Sequence, residues 1–157
     1  MDSASDERAD LTFAMGKYEA RVPTDRVYSV HHMWLRPVES GLHRVGLTAY
    51  SVRLLQDVYF LDWSFEPPRE VRRRDEIGEV ESSKAVSSLY APVDGRIVRF
   101  NDALMQQPEL INLDGYEEGW LLEMETAGEL LTPDGYVRLL GEVWDQTQRT
   151  LQGQANT

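Results

Sequence analysis

Between residues 26 and 125 the chain never runs far before something stops it. Pro37, Ser40-Gly41, Pro67-Pro68, Pro92 with Gly95, and Pro108 separate short runs rich in Val, Leu, Tyr and Trp. Proline lacks an amide hydrogen and fixes its own φ, while glycine opens turn conformations that other residues avoid. Runs bounded this way suit strands better than long helices. The expected strands are 26–37 (ending at Pro37), 43–50, 57–63, 96–100 and 119–125, with a hairpin over 79–95. "SVRLLQ" (51–56) is expected as one helical turn. "NDALMQQPELIN" (101–112) reads as a brief helix capped by Asn101 or Asp102 and cut by Pro108. Farther on the texture changes. Thr132 is placed to cap a helix with Pro133 at its first position, and Tyr136, Leu140, Val143 or Trp144, and Leu151 recur on one face. Gly135 and Gly141 each cost about 1 kcal/mol against alanine, so this helix depends on docking. The pattern predicts a mainly β fold, a small sandwich or barrel with a terminal helix packed on it.

Residues 1 to about 10 are polar and without periodicity, and "LTFAMGKYEA" (11–20) reads as a short helix or an arm. This assigns 1–25 to a flexible N-terminal extension and 26–152 to one domain, as a length of 157 residues allows. Against 16 basic residues stand 27 acidic ones, a formal charge of −11. A polyanion would be repelled, which argues against a general nucleic-acid binder. The absence of cysteine excludes disulfide scaffolds, thiolate metal sites and cysteine nucleophiles. The acidic first residues match neither a signal nor a transit peptide, and no run approaches the roughly 20 apolar residues of a membrane span. The expectation is a soluble, cytoplasmic protein with no membrane partner.

Conventional site chemistry is sparse. His31 and His32, neighbours on an expected strand, would point to opposite faces; with His43 they read as packing or surface residues and not as metal ligands. Arg72, Arg73 and Arg74, flanked by Glu70, Asp75 and Glu76, read as a solvated turn. Trp34, Trp63, Trp120 and Trp144 read as core. Ser82, Ser83, Ser87 and Ser88 have no adjacent general base, so no catalytic residue is assigned. What remains is Lys84. Ser82-Ser83 before it and the small Ala85 after it suit a tight turn from which one long side chain projects. Gly95, a permissive residue farther along, would let the chain bend into the next strand.

"ESSKAVSSLYAPVDGRI" resembles the lipoyl-attachment segment of glycine cleavage system H proteins, typified by E-S-x-K-A-x-S-x-L-Y-x-P-x-x-G. "NDALMQQPELINLDGYEEGWLLEME" is similar to the family's N-x-x-L-x-x-x-P-x-L-I-N…Y-x-x-G-W-L, and "VGLTAY" with "QDVYFLDW" to the strands ahead of the hairpin. The likeness covers roughly residues 28 to 145. Biotinyl carriers usually place Met on both sides of the lysine; Ser83 and Ala85 favour lipoyl here. The resemblance implies a lipoyl-domain-like flattened β-barrel, or barrel-sandwich hybrid, with additional helices including a C-terminal one. It implies lipoate joined by an amide to Lys84, with Ala85 and Gly95 completing the attachment motif. Glu81 is the acid that a lipoate ligase or a lipoyl/octanoyl transferase would read. The implied partners are glycine decarboxylase, aminomethyltransferase and dihydrolipoyl dehydrogenase. The implied role is a carrier, not an enzyme, whose arm shuttles the aminomethyl group of glycine and folds back into a cleft near His32, Met33, Trp34 and Ser88.

Four positions depart from the family pattern. Met33 replaces the Glu of H-E-W, and Ser88 the acid usually found four residues after the lysine. The usual G-D before the next strand reads Gln56-Asp57 here, so Gln56 replaces its glycine, and Arg74 replaces a turn glycine. Two carboxylates suited to a carried ammonium are therefore absent. Either Asp57, Glu79 or an N-terminal acid compensates, or the chain is an H-like carrier for another route, such as lipoyl transfer or sulfur oxidation. An unmodified binding scaffold is the third reading.

Overall fold

In the computed structural model of the chain, the backbone is described for residues 9–155 and the side chains for 9–148. Strands β1 (Leu11–Met15) and β2 (Tyr18–Val22) form a hairpin. β3 (Val27–Tyr28), β4 (Met33–Glu39) and β5 (Leu42–Leu47) follow, then helix α1 (Ala49–Leu55). β6 (Val58–Trp63), β7 (Arg69–Val71), β8 (Glu76–Ser82), β9 (Val86–Tyr90) and β10 (Gly95–Phe100) come next. Two short helices, α2 (Ala103–Gln106) and α3 (Leu110–Leu113), lead to β11 (Leu122–Glu125), and α4 (Pro133–Ala155) follows it.

The fold is mainly β, as expected. A six-stranded sheet in the order β3-β4-β5-β11-β10-β7 and a three-stranded sheet β6-β8-β9 share one apolar core. That core includes Leu35, Val45, Ile77, Val80, Ile97 and Met124, all 0 % exposed. Among the described residues the two ladders do not join into a ring, so the sandwich half of the expectation describes the arrangement better than a closed barrel. No helix among the described residues is long and apolar enough to cross a membrane.

A second core lies beside the first. Tyr28, Trp34, Tyr50, Tyr116, Tyr136 and Leu140 are buried there together with Met15, Ala20 and Val22 of the β1–β2 hairpin. This corrects the reading of residues 11–20 as a helix or arm, and of the whole of 1–25 as an extension. Tyr18–Val22 alternates between exposed and buried positions, a period of two that fits a strand laid on a core. Residues 1–8 lie outside the described part.

Helix α4 starts where its cap predicts. The Gly135 amide donates to Thr132 Oγ1 at 3.1 Å, and Tyr136 and Leu140 are buried while Val143 and Trp144 pack beside them. Leu151 falls outside the described side chains. At α2 the cap is Asn101, whose Oδ1 accepts from the Ala103 amide at 3.2 Å; Asp102 makes no such bond.

The run expected as one strand over 26–37 is two strands with a turn at 29–32, where His32 has φ 71°. Nor does it stop at Pro37. β4 continues to Glu39 through a register shift between Pro37 and Glu39 that accommodates a residue without an amide donor.

Candidate functional site at the Lys84 hairpin

Strands β8 and β9 pair antiparallel from Glu76↔Tyr90 to Glu81↔Val86, leaving Ser83, Lys84 and Ala85 as the turn. The buried Ser82 hydroxyl organises it. Its Oγ accepts from the Lys84 amide at 3.2 Å and the Ala85 amide at 3.3 Å, and donates to the Ala85 carbonyl at 3.2 Å. A second set of bonds fixes the turn from outside. The Ser83 amide donates to the Asp57 carbonyl at 2.8 Å, and the Asp57 amide donates to Ser83 Oγ at 3.2 Å. The apex is thus tied to the loop that ends α1. Lys84 itself is exposed, and among the described residues its ammonium has no ion-pair partner.

A cavity of about 310 Å³ opens beside Lys84, between β9, α1 and the start of β4. Met33, Leu47, Leu54, Leu55, Val80 and Leu89 supply apolar walls, and Ser51, Ser87, Ser88, Tyr90 and His31 polar side chains. This is the low end of the roughly 300–1,000 Å³ range of small-ligand sites.

Of the residues expected at an arm cleft, Met33 and Ser88 line this cavity, and Lys84 and Ala85 sit at its edge. His32 and Trp34 do not. Trp34 is 0 % exposed in the second core; its Nε1 donates to the Gly115 carbonyl at 3.1 Å, and the Arg26 guanidinium lies 4.7 Å from its ring. The imidazole facing the cavity is His31, which the sequence reading set aside; α1, with Ser51, Leu54 and Leu55, was missed as a wall. The opposite orientation of the two histidines survives the change from strand to turn. Glu81 lies half-buried on β8 between Phe60 and Val86, level with the apex. Gly95 is elsewhere, paired with Val71 in the six-stranded sheet. A Cβ there would collide with the Glu125 backbone carbonyl, so the close approach of the strands requires a glycine at this position.

His32 belongs to the second core. Its Nδ1 is 2.9 Å from Tyr136 Oη, which is 2.8 Å from Thr48 Oγ1, and its ring lies 4.7 Å from that of Tyr50. Burial, aided by nearby His31, holds its pKa down at about 4. The unfolded chain therefore takes up this proton first as pH falls. The stability that neutral His32 contributes is complete above about pH 6.5 and is lost toward pH 4. Between pH 7 and 4 the native protein is expected to lose about 3 kcal/mol more than a His32→Asn variant, measured as urea midpoints at both pH values.

Against known proteins, residues 26–141 match the family model described as Glycine cleavage H-protein. The chain belongs to this family. The glycine cleavage system H protein of Thermobifida fusca is 40% identical over 124 residues, covering 75% of this chain and 94% of the relative. That of Symbiobacterium thermophilum is 44% identical over 106 residues, covering 68% and 81%. The crystal structure of the Mycobacterium marinum glycine cleavage system H protein superposes with a TM-score of 0.68 at 37% identity, over 76% of this chain and 99% of that one.

Two departures from the H-protein pattern are visible in the backbone. Gln56 has φ 65° and ψ −144°, and Arg74 has φ 77°. Such conformations suit glycine and cost other residues about 1–3 kcal/mol. Gln56 is held in place because its carbonyl accepts from Asn112 Nδ2 at 2.6 Å and its amide donates to the Val52 carbonyl. Gln56→Gly is expected to raise unfolding stability by about 1 kcal/mol, the relief of strain exceeding the added entropy of glycine. A urea titration reads this directly.

Proposed function

We propose that Lys84 bears a lipoyl group and that the protein carries the aminomethyl group of glycine within the glycine cleavage system. Family membership makes it a carrier component and not an enzyme. Its partners in this reading are glycine decarboxylase, which loads the arm, aminomethyltransferase, which unloads it, and dihydrolipoyl dehydrogenase, which reoxidises it. A lipoate ligase or a lipoyl/octanoyl transferase installs the group, reading Glu81 at the level of the apex. One observation carries the reading: an exposed lysine without an ion pair among the described residues, on a turn locked by Ser82 and Ser83.

The cavity fits the group. Acylation removes the lysine's charge, and the resulting arm is a hydrocarbon chain ending in a dithiolane, suited to walls of Met33, Leu54, Leu55 and Leu89. When bound, lipoate supplies the redox thiols that a chain without cysteine lacks. The protein's own part is positional. Ser82 and Asp57 hold the apex still, Lys84 extends from it, and the cavity excludes water from an arm lying in it.

A second reading, an H-like carrier for another route, is favoured by one observation: among the described residues, none that lines the cavity is acidic. Intact mass separates the two. Protein produced with lipoate is weighed before and after incubation with glycine and glycine decarboxylase. A lipoyl increment on Lys84 followed by an aminomethyl increment supports the first reading. A lipoyl increment that never loads supports the second, and no increment at all defeats both.

A further inference from the structure

Among the described residues, nothing that lines the Lys84 cavity carries a negative charge, although the chain as a whole carries 27 acidic residues. The acids near in sequence do not compensate. Glu79 pairs with Ser88 across the ladder but is exposed and stands outside the lining. Asp57 is exposed too, and its backbone engages Ser83. Besides Lys84 itself, the polar side chains among the described lining residues are the neutral hydroxyls of Ser51, Ser87, Ser88 and Tyr90 and the imidazole of His31. Hydroxyls offer an ammonium a neutral acceptor and no opposite charge. Burial, and the proximity of Arg74 and Arg73, lower the pKa of His31, which places cationic groups near its side of the cavity.

The physical consequence is discrimination by charge. An uncharged chain entering the cavity exchanges water for apolar walls and gains from it. A cation entering gives up hydration and meets no carboxylate in return. Resting on the lipoyl-carrier reading, we infer that this cavity is selective for an uncharged, apolar ligand. It seats the arm of its own Lys84 when the arm ends in a neutral dithiolane, and leaves an amine-bearing arm in solvent. The protein would then carry a cationic load without sheltering it.

The test has two arms. In the first, methyl NMR spectra of the full chain are compared before and after lipoylation, with modification of Lys84 verified by intact mass. The Met33, Leu54 and Leu55 methyl signals are expected to shift. A verified lipoyl-protein in which they stay put overturns the cavity inference while the carrier reading stands; a missing mass increment overturns the carrier reading instead.

The second arm uses the Lys84→Gln full chain, which removes the lysine's own charge, and titrates free lipoamide against the cationic 8-aminooctanamide. Lipoamide is expected to shift the same methyl signals and to bind at least tenfold more tightly than the amine. Equal binding of the two probes, or binding of neither, overturns the inference. Met33 is 4 % exposed, so a glutamate there threatens the fold. Ser88→Asp on the half-buried β9 position and Leu54→Glu on the exposed rim of α1 carry the reversal. Either should narrow the preference to less than threefold, and a preference unchanged in both variants counts against charge as its cause.

Discussion

Lys84→Arg folds like the native protein and is never lipoylated. The side chain is exposed and has no ion pair among the described residues, and surface exchanges of this kind stay within about 0.5 kcal/mol. Acylation, by contrast, needs a nitrogen that can give up a proton and use its lone pair. The lysine amine can do so; the guanidinium stays protonated and delocalised. Charge, length and the surrounding turn are kept, so only the chemistry of one nitrogen changes. The checks are an unaltered urea midpoint and an intact mass without the lipoyl increment after incubation with ligase, ATP and lipoate. A lipoylated Lys84→Arg protein would move the attachment point elsewhere and end the assignment.

Trp34→Ala gives the largest loss of stability we expect, about 3–5 kcal/mol. The indole is 0 % exposed and lies across Gly46, where a Cβ would fall 2.5 Å from its ring atoms. Removing it leaves a void, orphans the Gly115 carbonyl and strips Arg26, 4 % exposed, of the ring beneath its guanidinium. For a chain of this size the melting temperature should fall by about 10 °C. At low temperature, with the fold intact, lipoylation of Lys84 should proceed at the native rate, because Trp34 stands in the second core and outside the cavity lining. A stable Trp34→Ala protein with impaired lipoylation would return this residue to the arm cleft.

How legible a feature was depended on how local its causes are. The Lys84 turn and the Thr132-Pro133 helix start could be read because their reasons lie within a few residues: serines that bond their own turn, and a hydroxyl that caps its own helix. The β1–β2 hairpin could not, since it is strand-like only against Tyr50 and α4, both distant in sequence. For Gly95 the sequence suggested only a permissive turn into the next strand. The requirement for glycine there comes from Glu125 on a neighbouring strand, which no local pattern reveals. His31 and His32 were rightly placed on opposite sides, but which side faced the cavity turned on where α1 packs. Trp34 was ambiguous because β4 begins with three consecutive buried residues, Met33, Trp34 and Leu35, which serve different cores. The loss of two expected carboxylates was plain from the sequence, whereas the lack of an acid among the described lining residues needed the cavity itself.

The paired bonds between Asp57 and Ser83 bear on timing. They join the apex of the β8–β9 hairpin to the end of α1, so the two main walls of the cavity are fastened to each other. A group attached to Lys84 can leave the cavity without either wall giving way. Its departure requires rotations about side-chain bonds, which take picoseconds to nanoseconds when unhindered, and not the microsecond-to-millisecond opening of a lid. The frequency with which such a carrier presents its cargo is then set by the affinity of the arm for the cavity, and the backbone imposes no clock of its own.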